Sequence, residues 1–146
     1  MSRRDYTLAT LFLLADQVTK WLAVWLQPSG YLFELTRNTG ASFGILPGHN
    51  LLLAGISIAA LVLFWPPLTS SKGHEHLAWV TIYAGIMGNL VDRLVRGSVV
   101  DFAKIGTFPV FNVADACITL GVAYLLARAV REWFPAWRFK KGKLER

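Results

Sequence analysis

Leu51 to Leu68 is an 18-residue run without a single charge, and so uniform a stretch has few folded homes. As a helix it is roughly 27 Å long at about 1.5 Å per residue, close to the thickness of a bilayer's hydrocarbon core. It ends at Trp65-Pro66-Pro67, where the indole suits a membrane interface and the prolines are expected to stop the helix. Three further apolar stretches, Tyr6–Leu26, Leu77–Val95 and Phe111–Val130, have comparable length. Charged residues make up 16% of the chain and hydrophobic ones 54%, with a mean hydropathy of +0.43; a soluble domain carries about 25% charge. The expected fold is therefore an all-α integral membrane protein with four transmembrane helices over 6–26, 51–68, 77–95 and 111–130. It forms a single domain over 1–146, with outer loops 27–50 and 96–110 and a small β-containing loop between helices 1 and 2.

The net charge of +6 and pI near 9.8 do not point to nucleic acid. The cations are neither spread over one face nor interleaved with exposed aromatics; they cluster as membrane topology would place them. Arg3, Arg4, Lys72, Arg128, Arg131, Arg138, Lys140, Lys141, Lys143 and Arg146 fall on one side of a four-span chain, against Arg37, Arg93, Arg96 and Lys104 on the other. The positive-inside rule then puts both termini in the cytoplasm and the two glycine- and aspartate-bearing loops outside. Ser2-Arg3-Arg4 before an apolar run looks like a signal peptide, but no small-x-small cleavage site follows, so the first helix is read as a retained anchor. A single cysteine, Cys117, excludes an intramolecular disulfide.

The polar residues within these spans need a reason, because ionised groups are costly there. Asp16 and Lys20 stand one turn apart and can neutralise each other. The loop 27–50 is longer than a turn requires. Tyr31–Thr36 reads as a short strand, and Arg37 to Gly44 is rich in small residues that let backbone approach a ligand. His74-Glu75-His76 is read as part of a solvated connection. The third span turns polar at its end. Gly88, Asp92 and Arg96 share one face, and Asn89 and Arg93 share another. Arg93 and Arg96 suit the helix C-terminus.

Asp101 falls just beyond the third span and Asp115 about four residues into the fourth, so both lie near the outer boundary, each held by a different helix. Asn112, one turn before Asp115, can orient it. Two carboxylates in a partly desolvated site share a proton, so one can act as general base on a water and the other as general acid. That is aspartic peptidase chemistry; paired acids in a membrane also serve ion translocation. No clear metal-ligand set and no Ser-His or Cys-His pairing competes with them.

Four blocks in order carry a resemblance. They are Asp16-Gln17-Val18-Thr19-Lys20; Asn38-Thr39-Gly40-Ala41-Ser42-Phe43-Gly44; Gly88-Asn89-Leu90-Val91-Asp92-Arg93 with Gly97-Ser98-Val99-Val100-Asp101-Phe102; and Phe111-Asn112-Val113-Ala114-Asp115. Together they resemble the motifs of bacterial lipoprotein signal peptidase (signal peptidase II) over nearly the whole chain. The resemblance implies a cofactor-independent aspartic endopeptidase of the bacterial inner membrane, with its active site at the outer face. Its substrate would be a prolipoprotein carrying diacylglyceryl, cut before the lipidated cysteine; the other partners implied are membrane lipids, with no nucleic acid and a monomeric state. It also implies Asp101 and Asp115 as the catalytic pair. Asn38, Gly40, Asn89, Arg93, Asn112, Asp16 and Lys20 would be supporting or substrate-contacting positions. The segment 102–110 looks shorter than is usual in that family, where this region can carry a small helix over the site.

Overall fold

The computed structural model describes residues 3–40 and 46–144. The elements run α1 (Arg3–Leu26), β1 (Phe33–Asn38), α2 (Asn50–Leu63), α3 (Trp65–Ser70), α4 (Gly73–Val95), β2 (Val99–Ala103) and α5 (Val113–Leu144). The second half of the Asn38–Gly44 block, from Ala41 on, lies outside the described residues.

Among the described residues three helical stretches are long and apolar enough to cross a membrane: Arg4–Leu26, Asn50–Ser70 and Val113–Trp133. The 23-residue α4 is of similar length but less apolar, and its position explains why. It is the hub, packed against α1, α2, α3 and α5. Ala78, Val80, Ile82, Ala84, Gly85, Ile86, Gly88, Asn89, Leu90 and Asp92 are all buried on it. A helix surrounded by protein can hold polar groups that a lipid-facing helix cannot. The other three expose large apolar side chains such as Leu51, Leu63 and Leu120, a surface that suits lipid and would be an aggregation hazard in water.

Close approach to α4 depends on glycine. A Cβ on Gly85 would stand 2.5 Å from the Ala114 carbonyl oxygen of α5, and one on Gly121 would stand 2.5 Å from Ile82. Small residues bring these backbones together, as is common where dispersion rather than the hydrophobic effect drives helix pairing in lipid.

The prolines do not end the second span. The helix breaks at Phe64 and restarts as α3 with Pro66 and Pro67 in its first turn, where the missing N–H would have had no helical partner anyway. The histidine pair is likewise helical: α4 begins at Gly73, and His76 Nε2 lies 3.0 Å from Asp5 Oδ2 of α1. Arg128 of α5 pairs with Glu75 and with Glu132. These contacts gather the start of α1, the start of α4 and the middle of α5 at one end of the bundle.

The two strands lie at the other end, and β1 pairs antiparallel with β2. The expected strand at 31–36 is displaced to 33–38. The second strand, which connects α4 to α5 just after the left-handed turn at Gly97 (φ 72°), was not legible as one. Asp101 is therefore held by a strand rather than a helix end.

Candidate active site

The register of the small sheet explains the first half of the site. Thr36 stands opposite Asp101 and Asn38 opposite Val99. Side chains of cross-strand partners share a face, and so do residues two apart on one strand. Thr36, Asn38, Val99 and Asp101 thus form one face, and all four line a cleft of about 1060 Å³. Asn38 and Asp101 are diagonal neighbours on that face, which lets Asn38 Nδ2 donate to Asp101 Oδ2 at 3.1 Å. The same Asn38 closes a local turn by accepting from the Gly40 N–H at 2.9 Å.

The second half is a helix start. Asn112 caps α5, its Oδ1 accepting from the Asp115 N–H at 2.9 Å, while Asp115 Oδ2 accepts from the Asn112 N–H at 3.2 Å. This is a reciprocal capping box in which an aspartate takes the place of the usual glutamate. Asp115 is thus the third residue of its helix, in the first turn, closer to the helix start than its place in the sequence implied. The Asn112 amide also donates to Asp101 Oδ1 at 2.6 Å and to Asn89 Oδ1 at 3.2 Å. One asparagine, 1% exposed, joins both aspartates.

Behind this layer lies a buried ionic cluster. Lys20, fully buried, places Nζ 2.9 Å from Asp16, 3.1 Å from Asp92 and 3.0 Å from Asn89 Oδ1. Two donors occupy the Asn89 carbonyl, so its amide turns to Asp115 Oδ1 at 2.8 Å. Asp16 also accepts from the Ala114 N–H at 2.9 Å, another unsatisfied donor of the α5 start. Asp92 accepts from the Val100 N–H at 3.0 Å and pairs with Arg96. A Cβ at Gly88 would stand 2.5 Å from Asp16 Oδ2, so the glycine leaves room for the carboxylate. Buried charges need this degree of pairing to be tolerated.

Arg93 completes the rim, with its guanidinium donating to the Gly40 carbonyl at 3.3 Å and its Nε buried without a partner. Apart from Ser57 and Thr119, the rest of the cleft is apolar: Leu53 and Ile56 of α2, Ile86 of α4, Ile118 of α5, and Ile105, Phe108 and Phe111 of the connection after β2 are among its lining. Phe108 and Phe111 meet edge to face at 6.0 Å.

The nine candidate site residues of the sequence analysis gather here. Asp101, Asp115, Asn38, Asn89 and Arg93 line the cleft; Asn112, Asp16 and Lys20 hold those residues from behind, and the Gly40 carbonyl meets Arg93 at the rim. Gln17, which bonds to Asp16, Gly88 and Asp92, was missed, although it sits inside the first motif. Arg96 was read only as a helix-end cation; it also donates to Gln17 at 2.9 Å. The apolar wall carried no motif at all. Among the described residues, no three His, Cys, Asp or Glu side chains group to hold a metal ion.

Burial raises Asp101 from the ordinary 3.8 to about 6, and the nearby Asp115 charge pushes the same way. Hydrogen bonds from Asn38 and Asn112, and the Lys20 charge, oppose the shift. A carboxyl near 6 exchanges its proton readily at neutral pH.

The family model described as Signal peptidase (SPase) II matches residues 8–131. A lipoprotein signal peptidase of Shouchella clausii is 38% identical, the alignment covering 83% of this chain and 89% of the relative. One of Sphingopyxis alaskensis is 39% identical over 84% and 82% of the two chains. A solved structure described as a bacterial membrane enzyme superposes with a TM-score of 0.80 at 26% identity, covering 88% of each chain. The chain belongs to the signal peptidase II family.

Proposed function

We propose that this chain is a membrane aspartic endopeptidase that removes the signal peptide from diacylglyceryl-modified prolipoproteins, cutting before the lipidated cysteine. The observation that carries the reading is the Asp101–Asn112–Asp115 arrangement at the wall of an apolar cleft. Two carboxylates on rigid elements, joined through one asparagine, are suited to share a proton. One takes a proton from a water as that water attacks the scissile carbonyl, while the other donates its proton to the carbonyl oxygen; as the C–N bond breaks, the first passes its proton to the leaving nitrogen and the second takes a proton back from the diol hydroxyl. Asn38 and Asn89 keep the two carboxylates in place, and Arg93 with the Gly40 backbone forms the rim that meets the peptide. Apolar walls suit acyl chains, and their exclusion of water strengthens every charge in the site.

The reading includes four spans, with α4 as the third. The helix starts gathered by the Asp5–His76 and Glu75–Arg128 pairs lie on the cytoplasmic side of a bacterial inner membrane and the carboxylates on the outer side, in a monomer. The test is cleavage of a diacylglyceryl-modified precursor peptide by purified enzyme in detergent or nanodiscs. Asp101→Asn and Asp115→Asn are each expected to insert normally and to lose at least about 10²–10⁴-fold in rate. Near-normal cleavage by either variant would refute the dyad.

A further inference from the structure

Two hydroxyls interrupt the apolar part of the cleft, Ser57 of α2 and Thr119 of α5. Two hydrogen bonds between other residues set their depth. Asn50, at the start of α2, donates to the Arg93 carbonyl at 3.0 Å, and Asn89, one turn before Arg93, donates to Asp115 at 2.8 Å. Counting about 1.5 Å per residue along each helix from these ties, Ser57 and Thr119 lie within roughly 2 Å of one level, about 5 Å deeper in the bundle than Asp115. Around them the lining is Leu53, Ile56, Ile86 and Ile118. Thr119 is exposed and stands one turn beyond Asp115 on the same face of α5. A hydroxyl within a helix can turn back onto its own backbone. Ser57 does so, donating to the Leu53 carbonyl at 2.9 Å, and Thr81 of α4 does the same to Ala78 at 2.8 Å. Thr119 makes no such bond among the described residues, so its O–H is a donor open to a ligand, among side chains that offer it no acceptor.

From this placement we propose that Thr119, together with Ser57, recognises the ester carbonyls of the substrate's diacylglyceryl group, an inference that rests on the peptidase reading above. A glycerol diester presents carbonyl acceptors and no donor, the complement of two hydroxyls on apolar walls. About seven bonds separate the scissile nitrogen from the nearer ester carbonyl carbon, a reach of at most roughly 9 Å. The esters therefore reach the level of Thr119 when the scissile bond lies at the carboxylates. Ser57 gives up little by turning to the ligand, because the Leu53 carbonyl it leaves also lies within the helical hydrogen-bond ladder. Walls that held acyl chains alone would be served by valine and alanine at these two positions.

The experiment compares cleavage of two synthetic precursor peptides by the full-length enzyme in nanodiscs. One carries the diester lipid; the other carries the corresponding diether, which keeps the chains and removes both carbonyls. The wild-type enzyme is expected to favour the diester about five- to thirtyfold in kcat/KM, the range for one or two neutral hydrogen bonds. The difference should fall in KM rather than kcat, because these bonds are the same in the ground and transition states. Thr119→Val should remove most of the preference and Thr119→Ser should keep it, while Thr119→Val combined with Ser57→Ala should show none. Each preference is a ratio measured on one sample, so a reduced folded fraction cancels from it. Equal kcat/KM for the two peptides in the wild type would overturn the proposal in favour of walls that hold chains alone. A preference that survives the double variant would overturn it in favour of ester recognition elsewhere. Failure of the wild type to cleave either peptide would instead remove the peptidase reading, and this inference with it.

Discussion

Asn112 is the residue on which both carboxylates depend, and its three side-chain hydrogen bonds make the site sensitive to a single substitution. Asn112→Ala leaves one Asp101 oxygen and the Asp115 N–H without their partners, at a cost of about 1–3 kcal/mol in stability. It should also reduce cleavage more than Asn38→Ala, which removes one bond to Asp101; parallel thermal-unfolding and rate measurements check both. The protonation of Asp101 responds in opposite senses to its two kinds of neighbour. Asp115→Asn removes a negative charge that holds the Asp101 value up, so that value should fall below about 6; Asn38→Ala removes a bond that favours the ionised form, so it should rise. A carboxyl-carbon NMR titration distinguishes these outcomes, and movement in the same direction in both would contradict the assignment. Because the folded value lies above the ordinary 3.8, the stabilisation from protonated Asp101 is full below about 3.8. It is lost as pH rises through about 6.

At the scale of elements, helix contact is set by where glycine is found. Gly85→Ala places a Cβ against the Ala114 carbonyl of α5 and should cost about 1–3 kcal/mol by overpacking. Gly55→Ala on α2 meets nothing within 4 Å and should be neutral or stabilising by up to about 1 kcal/mol through helix propensity. Unfolding in mild detergent checks the pair; equal effects would mean that the α4–α5 approach is looser than these distances imply. The two strands show the opposite dependence. Both carry strand-favouring residues, Phe33 and Thr36 in β1 and Val99, Val100 and Phe102 in β2, but β2 is only five residues long and lay within an expected outer loop. Its pairing is set by its partner across the sheet, which no local pattern reveals.

For the whole molecule, the question is whether α4 crosses the bilayer despite its polar end. Cysteines introduced at Lys72 and Thr107 should be labelled by an impermeant reagent from opposite faces of oriented vesicles. The native Cys117, buried in the bundle, should react far more slowly than either. Labelling of both from one face would rule out α4 as a span. The polar cluster around Lys20 makes the crossing plausible, because Asp16, Asp92 and Asn89 meet the ammonium within the protein and none of these charges faces lipid.

What the sequence determined by itself was the class of fold and the residue types of the site. An uncharged run as long as Leu51–Leu68 has few stable alternatives to a membrane helix, and acids in such surroundings stand out because they are costly there. The four motifs placed Asp101 and Asp115 together. What only the tertiary structure decided was how they are held: Asp101 on an unforeseen strand, Asp115 in a capping box, and Asn112 between them. It also decided that Gln17 and Arg96 belong to the same network as Lys20, and that Leu53, Ile118 and Phe108 wall one cleft. These depend on side chains from segments far apart in sequence meeting at one end of a bundle, where strand register and helix approach fix distances to a few tenths of an ångström. Periodicity and composition describe each segment alone and carry no such information.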